Sequence, residues 1–115
     1  MDTRTKIVDA AQAVRIAQSG ATIVSGYFDP MIASHAERLA GLKHPGMPLL
    51  VLITTPPDPI LPAAARAQLV AGLAVVDYVC DAPNALTPQI ALDHEHAALI
   101  TKLIDHVHAR QQATS

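Results

Sequence analysis

The chain has 115 residues, of which 50% are hydrophobic and 16% are charged. This length and composition are typical of one globular domain with a buried core, and they exclude a disordered protein. No apolar stretch approaches the roughly 18 residues of a membrane helix, and the polar N-terminus lacks the apolar middle of a signal peptide. Eight basic and ten acidic residues give a net charge of −2 without a basic cluster, which argues against a nucleic-acid-binding surface. We therefore expect a cytoplasmic protein that binds neither nucleic acid nor membrane.

The N-terminal part of the chain predicts one helix and one strand. Residues 3–19 carry an apolar stripe at helical spacing, and Gly20 follows as a helix stop. The stripe consists of Ile7, Ala10, Ala11, Val14 and Ala17. Thr22 to Ser25 is a short β-branched run that ends at Gly26, which is typical of a parallel strand buried on both faces.

A tight turn and a second helix follow this strand. Asp29-Pro30 breaks the strand, and Ser34 and Glu37 have the S-x-x-E spacing of a capping box, so we expect the helix to begin at His35. The first turn of a helix offers N–H groups and the positive end of the helix dipole. The turn from Gly26 to His35 is therefore the candidate anion site.

The next segments predict two more core strands and a third helix. The apolar run of residues 48–54 predicts a second strand, parallel to the first. Three prolines within residues 56–59 stiffen the following loop. Pro62 then opens a helix, and residues 75–80 predict a third strand. The buried stripe of this helix is expected to be Ala65, Leu69, Val70 and Leu73.

The C-terminal part predicts a short strand and a closing helix. Ile90 to Leu92 is the candidate fourth strand, and the helix is expected to run from about Asp93 to Gln111. The predicted fold class is α/β: a shortened Rossmann-like, three-layer parallel sheet with flanking helices, in one domain of residues 1–115.

The remaining chemistry-bearing side chains predict no metal site. His94 and His96 lie two positions apart, as do His106 and His108, and on a helix such pairs point in different directions. Cys80 is the single cysteine. Because it ends an apolar run, we expect a buried, inert thiol.

The turn after the first strand resembles the G-x-F-D-x-x-H-x-G-H signature of the cytidylyltransferase-like nucleotidyltransferases. This family includes glycerol-3-phosphate cytidylyltransferase and the heptose-phosphate adenylyltransferase domain. The matching residues are Gly26, Phe28, Asp29 and His35. Ile32 stands where the family has its first histidine, and Ser34 stands where it has glycine.

A second stretch, residues 66–79, is similar to the R-x-x-x-L-x-x-L-x-x-V-D-x-V pattern of the same family. Leu73, Val76 and Asp77 occupy their expected offsets, whereas Val70 replaces the first leucine. The two matches have the correct order and together cover about residues 5–80. After Cys80 nothing resembles the family's K-G-x-D-type turn or its S/T-rich helix start.

The resemblance implies where a ligand would bind. The family's sheet has the strand order 3-2-1-4-5, with the nucleotide at the carboxyl ends of the strands beside strand one. The nucleotide- or phosphate-binding residues would be Gly26, Tyr27, Phe28, Asp29, Ile32, Ser34, His35 and Arg66. His35 would be the catalytic residue on the phosphates, Asp29 would fix the turn, and Arg66 would be a second cation. Backbone N–H groups around Tyr27 and Phe28 would complete the set.

The resemblance also implies a reaction. In the family, two histidines bind the nucleoside triphosphate while a sugar or alcohol phosphate attacks its α-phosphorus and pyrophosphate leaves. Magnesium commonly accompanies the triphosphate, although no carboxylate cluster in this sequence marks a metal site. Replacing one histidine by Ile32 removes a charge-assisted hydrogen bond of roughly 1.5–3 kcal/mol. The removal of one oxyanion-hole donor lowers the rate on the order of 10²–10³-fold, and we expect a similar reduction in the rate of nucleotidyl transfer here.

We therefore expect a divergent protein that binds a nucleotide or a phosphorylated metabolite, with nucleotidyl transfer weak or absent. One alternative is an active cytidylyl- or adenylyltransferase that acts on a sugar or polyol phosphate. Another is a non-enzymatic dimeric scaffold or companion subunit. If strands four and five are missing, the first strand becomes an apolar edge that either the C-terminal segment or a second subunit must cover, and we expect a homodimer. The closing helix is the expected covering element.

Overall fold

The protein is built on a four-stranded parallel sheet. The structure, a computed structural model, describes residues 3–29, 33–82 and 86–93. The strands are β1 (Thr22–Gly26), β2 (Leu49–Ile53), β3 (Tyr78–Cys80) and β4 (Ile90–Ala91). Their order across the sheet is β3-β2-β1-β4. The predicted α/β fold class is confirmed, including the short fourth strand.

The described residues form three α-helices that cover the sheet: α1 (Ala10–Gln18), α2 (Ala33–Leu42) and α3 (Ala63–Ala71). Alternate residues of β2 face opposite sides, and all five are buried. Leu49 and Val51 pack in the cluster that contains Leu39 of α2 and Val70 of α3. Leu50 and Leu52 belong to the cluster on the other face, which contains Ala13 of α1. The result is three layers, and none of the described helices combines the length and the apolar character that crossing a bilayer requires.

The first strand has a partner on each side. Strand β1 pairs with β2 from Thr22↔Leu49 to Gly26↔Ile53. On its other side it pairs with β4 at Val24↔Ile90 and Ser25↔Ala91. Strand β1 is therefore an internal strand of the sheet, because the C-terminal segment covers it through β4, which is one of the two covers that the sequence allows. The homodimer stays a prediction, and the closing helix beyond Asp93 lies outside the described residues.

The predicted first helix is divided in two. A 3-10 turn covers Thr3–Lys6, and α1 begins only at Ala10. Between them Ile7 forms a parallel bridge with Val79, and the Val8 N–H donates to the Val79 carbonyl at 2.8 Å. Asp9 then caps α1 through a capping box with Gln12. A tertiary contact with β3 thus overrides the helical periodicity of these residues, and the inward residue of α1 is Ala13.

The second and third helices also differ from the prediction in detail. Helix α2 begins at Ala33, so Ser34 lies inside it and does not cap it, and the S-x-x-E spacing does not mark its start. Pro62 is the N-cap of α3 and precedes its first residue. The face of α3 is rotated from the predicted stripe, because Leu69 is 44% exposed whereas Arg66 is buried.

An ion pair holds the amino end of the sheet together. The Lys43 Nζ atom lies 2.5 Å from Oδ2 of Asp77, and both side chains are partly exposed. The same Oδ2 accepts from the Leu49 N–H at 2.8 Å. Burial by itself would raise the pKa of Asp77, but the hydrogen bonds from Lys43 and Leu49 and the charges of Lys43 and Lys6 outweigh it, so the pKa lies below its usual value. Asp77, part of the second family-like pattern, therefore links the end of α2 to β2 and β3.

The substitution Asp77→Asn is expected to lower the free energy of unfolding by about 1 kcal/mol at pH 7, since the pair is partly exposed and screened. Because the folded-state pKa is the lower one, this stabilisation is fully present above the unfolded pKa of about 3.9. It is lost as the pH falls through the folded pKa. Urea denaturation measured across this pH range should therefore show that the free energies of unfolding of the original protein and of Asp77→Asn become equal in acid. Asp58→Asn, in an exposed loop, is the control, and an equal loss in that variant would contradict the assignment.

Candidate functional site

The carboxyl ends of β1, β2 and β4 come together at one end of the sheet. From β1 the chain builds outward through β2 to β3, and it then returns to place β4 on the opposite side of β1. This reversal is a topological switch point, the place where open α/β sheets bind ligands in the crevice beyond the strand ends. The predicted turn leaves β1 at this point, because Gly26 is the last residue of the strand. Residues 30–32, which include Ile32, lie outside the described residues.

Asp29 connects this turn to the loop between β2 and α3. Its carboxylate is 1% exposed, and it accepts two backbone hydrogen bonds from that loop. The Ile60 N–H donates to Oδ2 at 2.6 Å, and the Leu61 N–H donates to Oδ1 at 2.7 Å. A buried carboxylate is tolerated only with such partners. Asp29 therefore fixes two loops relative to each other.

Arg66 reaches the same two loops from α3. The side chain is 1% exposed, and its Nε donates to the Leu61 carbonyl at 3.0 Å. One terminal nitrogen, Nη1, donates to the carbonyls of Tyr27 at 3.2 Å and Thr54 at 2.6 Å. The other, Nη2, donates to Oγ1 of Thr55 at 3.4 Å. The guanidinium thus holds the loops, and its predicted role as a second cation on phosphate is not favoured by these contacts.

Asp29, Arg66 and their hydrogen-bond partners in the two loops form one unit, which we call the loop brace. It places the Gly26–Asp29 segment of the β1–α2 loop against residues 54–61 of the β2–α3 loop. Both loops lie at the switch point. The proline-rich connector is therefore tied down by hydrogen bonds as well as stiffened by its prolines.

Phe28 adds a strained backbone to the turn. Its φ angle is 48°, in the left-handed region that a bulky residue seldom adopts, and the side chain is completely buried. Its ring meets the His35 ring edge to face, with centroids 5.6 Å apart and planes at 86°. The Phe28 side chain thereby packs the start of α2 against the end of β1.

His35 faces inward. It is 2% exposed, and burial lowers the pKa of its imidazole, so the ring is neutral at neutral pH. Its Nε2 atom is buried and makes no hydrogen bond to any residue of 3–29, 33–82 or 86–93. A neutral imidazole can donate one hydrogen bond but brings no positive charge to a phosphate. Ser34, its neighbour in α2, is exposed.

The turn and brace residues of the predicted set thus lie at one end of the sheet, with Ser34 on the outer surface. The sequence analysis missed a further group there. Asp93 accepts from the Ser25 hydroxyl at 2.8 Å through Oδ1 and from the Thr54 hydroxyl at 3.0 Å through Oδ2. The usable signal was positional: each of these residues ends or directly follows a predicted parallel strand, and such ends meet in space.

The described residues at the carboxyl end of the sheet do not form a protein-built magnesium site. Within the described part of the chain, no three or more His, Cys, Asp and Glu side chains are grouped as metal ligands. Both carboxylate oxygens of Asp29 already accept backbone N–H groups.

A cleft of about 390 Å³ lies at the amino end of the sheet, between the end of α1 and the start of β3. Arg15, Gly20 and Tyr78 are among its lining residues, and Arg15 is its one charged group. None of the predicted site residues lines it. We place the candidate site at the carboxyl end, since the buried charges and the strained turn are found there.

The sequence matches no protein-family model and no curated protein. Membership of the cytidylyltransferase-like family therefore stays a prediction that depends on the two short motifs.

The brace predicts an unusual pattern of amide protection. Asp29→Asn should lower the free energy of unfolding by about 2 kcal/mol, because the amide NH₂ cannot accept the backbone N–H that one carboxylate oxygen accepts. The Ile60 and Leu61 amides should exchange slowly with solvent in the original protein, although the Ile60 side chain is 65% exposed, and quickly in the variant. Hydrogen exchange read by NMR measures both. Asp81→Asn, at an exposed position after β3, should change neither the free energy of unfolding nor the exchange of these two amides. Fast exchange of both amides in the original protein would refute the brace.

Proposed function

We propose that this protein binds a nucleotide or a phosphorylated metabolite at the turn from Gly26 to His35, and that nucleotidyl transfer there is weak or absent. The observation that carries the proposal is the loop brace at the switch point of the sheet. Two buried charged side chains, Asp29 and Arg66, are used to hold two loops in one arrangement.

The cost of the brace supports a binding role. Removing an ionised side chain from water costs several kcal/mol, which must be offset by hydrogen bonds of good geometry. A connection between a strand and a helix needs no such groups. The left-handed backbone of Phe28 adds strain on the order of 1–3 kcal/mol, and strain of this kind is concentrated at ligand sites. A rigid rim around the carboxyl ends of the strands is what a preorganised site requires.

The position of α2 supports a phosphate group as part of the ligand. This helix has ten residues and begins at Ala33, directly after the turn. Its N-terminus therefore lies at the carboxyl end of the sheet, where its first N–H groups and the positive end of its dipole favour an anion. The neighbouring loop is fixed by Asp29, so the anion would meet backbone donors in a defined arrangement.

The charges around the turn argue against efficient transfer. Phosphoryl and nucleotidyl transfer depend on positive charge that stabilises the phosphates in the transition state. His35 is neutral at neutral pH because burial lowers its pKa. Arg66 donates to loop oxygens, and Ile32 has no donor in its side chain. Backbone N–H groups are then the main phosphate donors, which is sufficient for binding but not for fast chemistry.

Isothermal titration calorimetry with ATP, CTP, AMP and ribose 5-phosphate tests the proposal. We expect binding of at least one of these compounds at millimolar concentration or below, with no pyrophosphate released from the triphosphates in the presence of glycerol 3-phosphate. Failure of all four to bind would refute it. Pyrophosphate release that His35→Ala abolishes would replace it with an active transferase.

A charge placed at the start of α2 should weaken this binding. Ser34→Glu adds a carboxylate to the first turn, and we expect an affinity at least about tenfold lower, which corresponds to about 1.4 kcal/mol of repulsion. The helix itself should not suffer, since a negative charge is favourable at its N-terminus. Ala40→Glu is the matched control, because it adds the same charge to an exposed position near the other end of the helix. Equal losses in the two variants would place the anion elsewhere.

A further inference from the structure

The proline-rich loop between β2 and α3 exposes apolar side chains at the carboxyl end of the sheet. Pro57, Pro59, Ile60 and Pro62 are all exposed within six residues of chain. Ile60, at 65%, is the most exposed of the large hydrophobic side chains in the part of the chain that the structure describes. Apolar side chains that cluster on a surface in this way mark a site of contact with another protein.

The backbone behind these side chains is fixed. The Ile60 and Leu61 N–H groups donate to the buried carboxylate of Asp29, and the prolines restrict their own φ angles and the residues before them. Binding by this loop therefore costs little conformational entropy, because the loop is ordered before it meets a partner. We call Asp58, Pro59 and Ile60 the loop tip.

The cleft at the amino end of the sheet has a complementary shape. Half-buried Ile16, Pro48 and Tyr78 supply its apolar lining. Its volume of about 390 Å³ is ample for an isoleucine side chain and the proline beside it. Gly20 and Gly46 also line the cleft, and they bring no side chain to fill it. The cleft can therefore receive a convex apolar group.

The loop tip and the cleft carry opposite charges. Asp58 is the one charged residue of the loop sequence 54–62, and Arg15 is the one charged residue among the described residues that line the cleft. Both side chains are exposed, and neither forms an ion pair with any residue of 3–29, 33–82 or 86–93. A pair between them, beside a buried Ile60, would fix the register of a contact.

One chain cannot make this contact with itself. The cleft is lined by residues that precede or begin the strands, whereas the loop tip follows β2. The five residues of β2 lie between them, which is about 16 Å of strand. The loop brace also holds the tip at its own end of the sheet. Since both complementary surfaces belong to this chain, the occupant that matches them is a second copy.

We infer that copies of this chain associate by inserting Ile60 of one copy into the amino-end cleft of another, with Asp58 against Arg15. The two surfaces differ, so the contact is heterologous and every molecule carries both halves of it. One loop and one cleft bury less area than the roughly 1,200 Å² of a stable interface, so we expect a dissociation constant on the order of 0.1–1 mM. The inference goes beyond the proposed function and does not depend on phosphate binding.

Sedimentation equilibrium of the full chain, with two variants and a control, tests the contact. Ile60→Asp places a charge on the loop tip and leaves the cleft intact, and Arg15→Glu does the reverse. Each should raise the dissociation constant for self-association at least about tenfold. Leu69→Asp adds the same charge at another exposed apolar position, and this matched control should associate like the original protein.

Mixing the two variants is the sharper test, because one supplies an intact loop tip and the other an intact cleft. The NMR amide signals of Asp58 and Ile60 in labelled Arg15→Glu should shift when unlabelled Ile60→Asp is added. They should not shift when unlabelled Arg15→Glu is added instead. With the labels exchanged, the signals of Gly20 and Tyr78 should shift, and absence of these shifts in both mixtures would overturn the inference.

Two further results would also overturn it. One is an original protein that stays monomeric up to about 1 mM, the upper limit of the expected dissociation constant, and this measurement needs no variant. The other is association that persists unchanged in both Ile60→Asp and Arg15→Glu, which would place the contact between copies on another surface. Neither result bears on the proposed function, since the binding of phosphate compounds is measured separately.

Discussion

The arrangement of the carboxyl end of this protein depends on the loop brace. Asp29 accepts N–H groups from Ile60 and Leu61, and Arg66 donates to carbonyls on both sides of the same gap. Neither side chain is exposed enough for water to replace its partner. The two loops can therefore separate only if a buried charge loses its hydrogen bonds. The free energy of that loss exceeds the conformational entropy that either loop would gain. Phe28, Thr54 and Asp93 take their positions from this rigid frame.

The sequence predicts the sheet well because its strands are locally encoded. Strands β1 and β2 are continuous apolar runs bounded by turn residues, and both are buried on two faces as such runs require. Strand β4 has only two residues, yet the apolar run Ile90 to Leu92 between polar neighbours was sufficient to predict it. Gly26 and Asp29 mark the turn after β1. These turn signals are also local, because they can be read from adjacent residues in the sequence.

The missed features depend on contacts between distant parts of the chain. No periodicity in residues 3–19 indicates that Ile7 and Val8 pair with Val79. The S-x-x-E pattern at Ser34 also occurs on the outer face of a helix, so it does not locate a helix start by itself. The sequence predicts that Arg66 faces a ligand, because it does not reveal the loop carbonyls that hold the guanidinium. Asp93 joins Ser25 and Thr54 only once the sheet is assembled.

The pairing of Ile7 and Val8 with Val79 has a consequence for the association behaviour of the protein. An outer strand with unsatisfied backbone groups is a template for pairing with another molecule, and it is a common starting point for aggregation. Here the Val79 carbonyl already accepts the Val8 N–H, so the incoming N-terminal segment shields the outer side of β3. Removing those first residues would leave a short apolar strand open to neighbouring chains. The pairing of Ile7 and Val8 with Val79 therefore limits edge-to-edge association at β3.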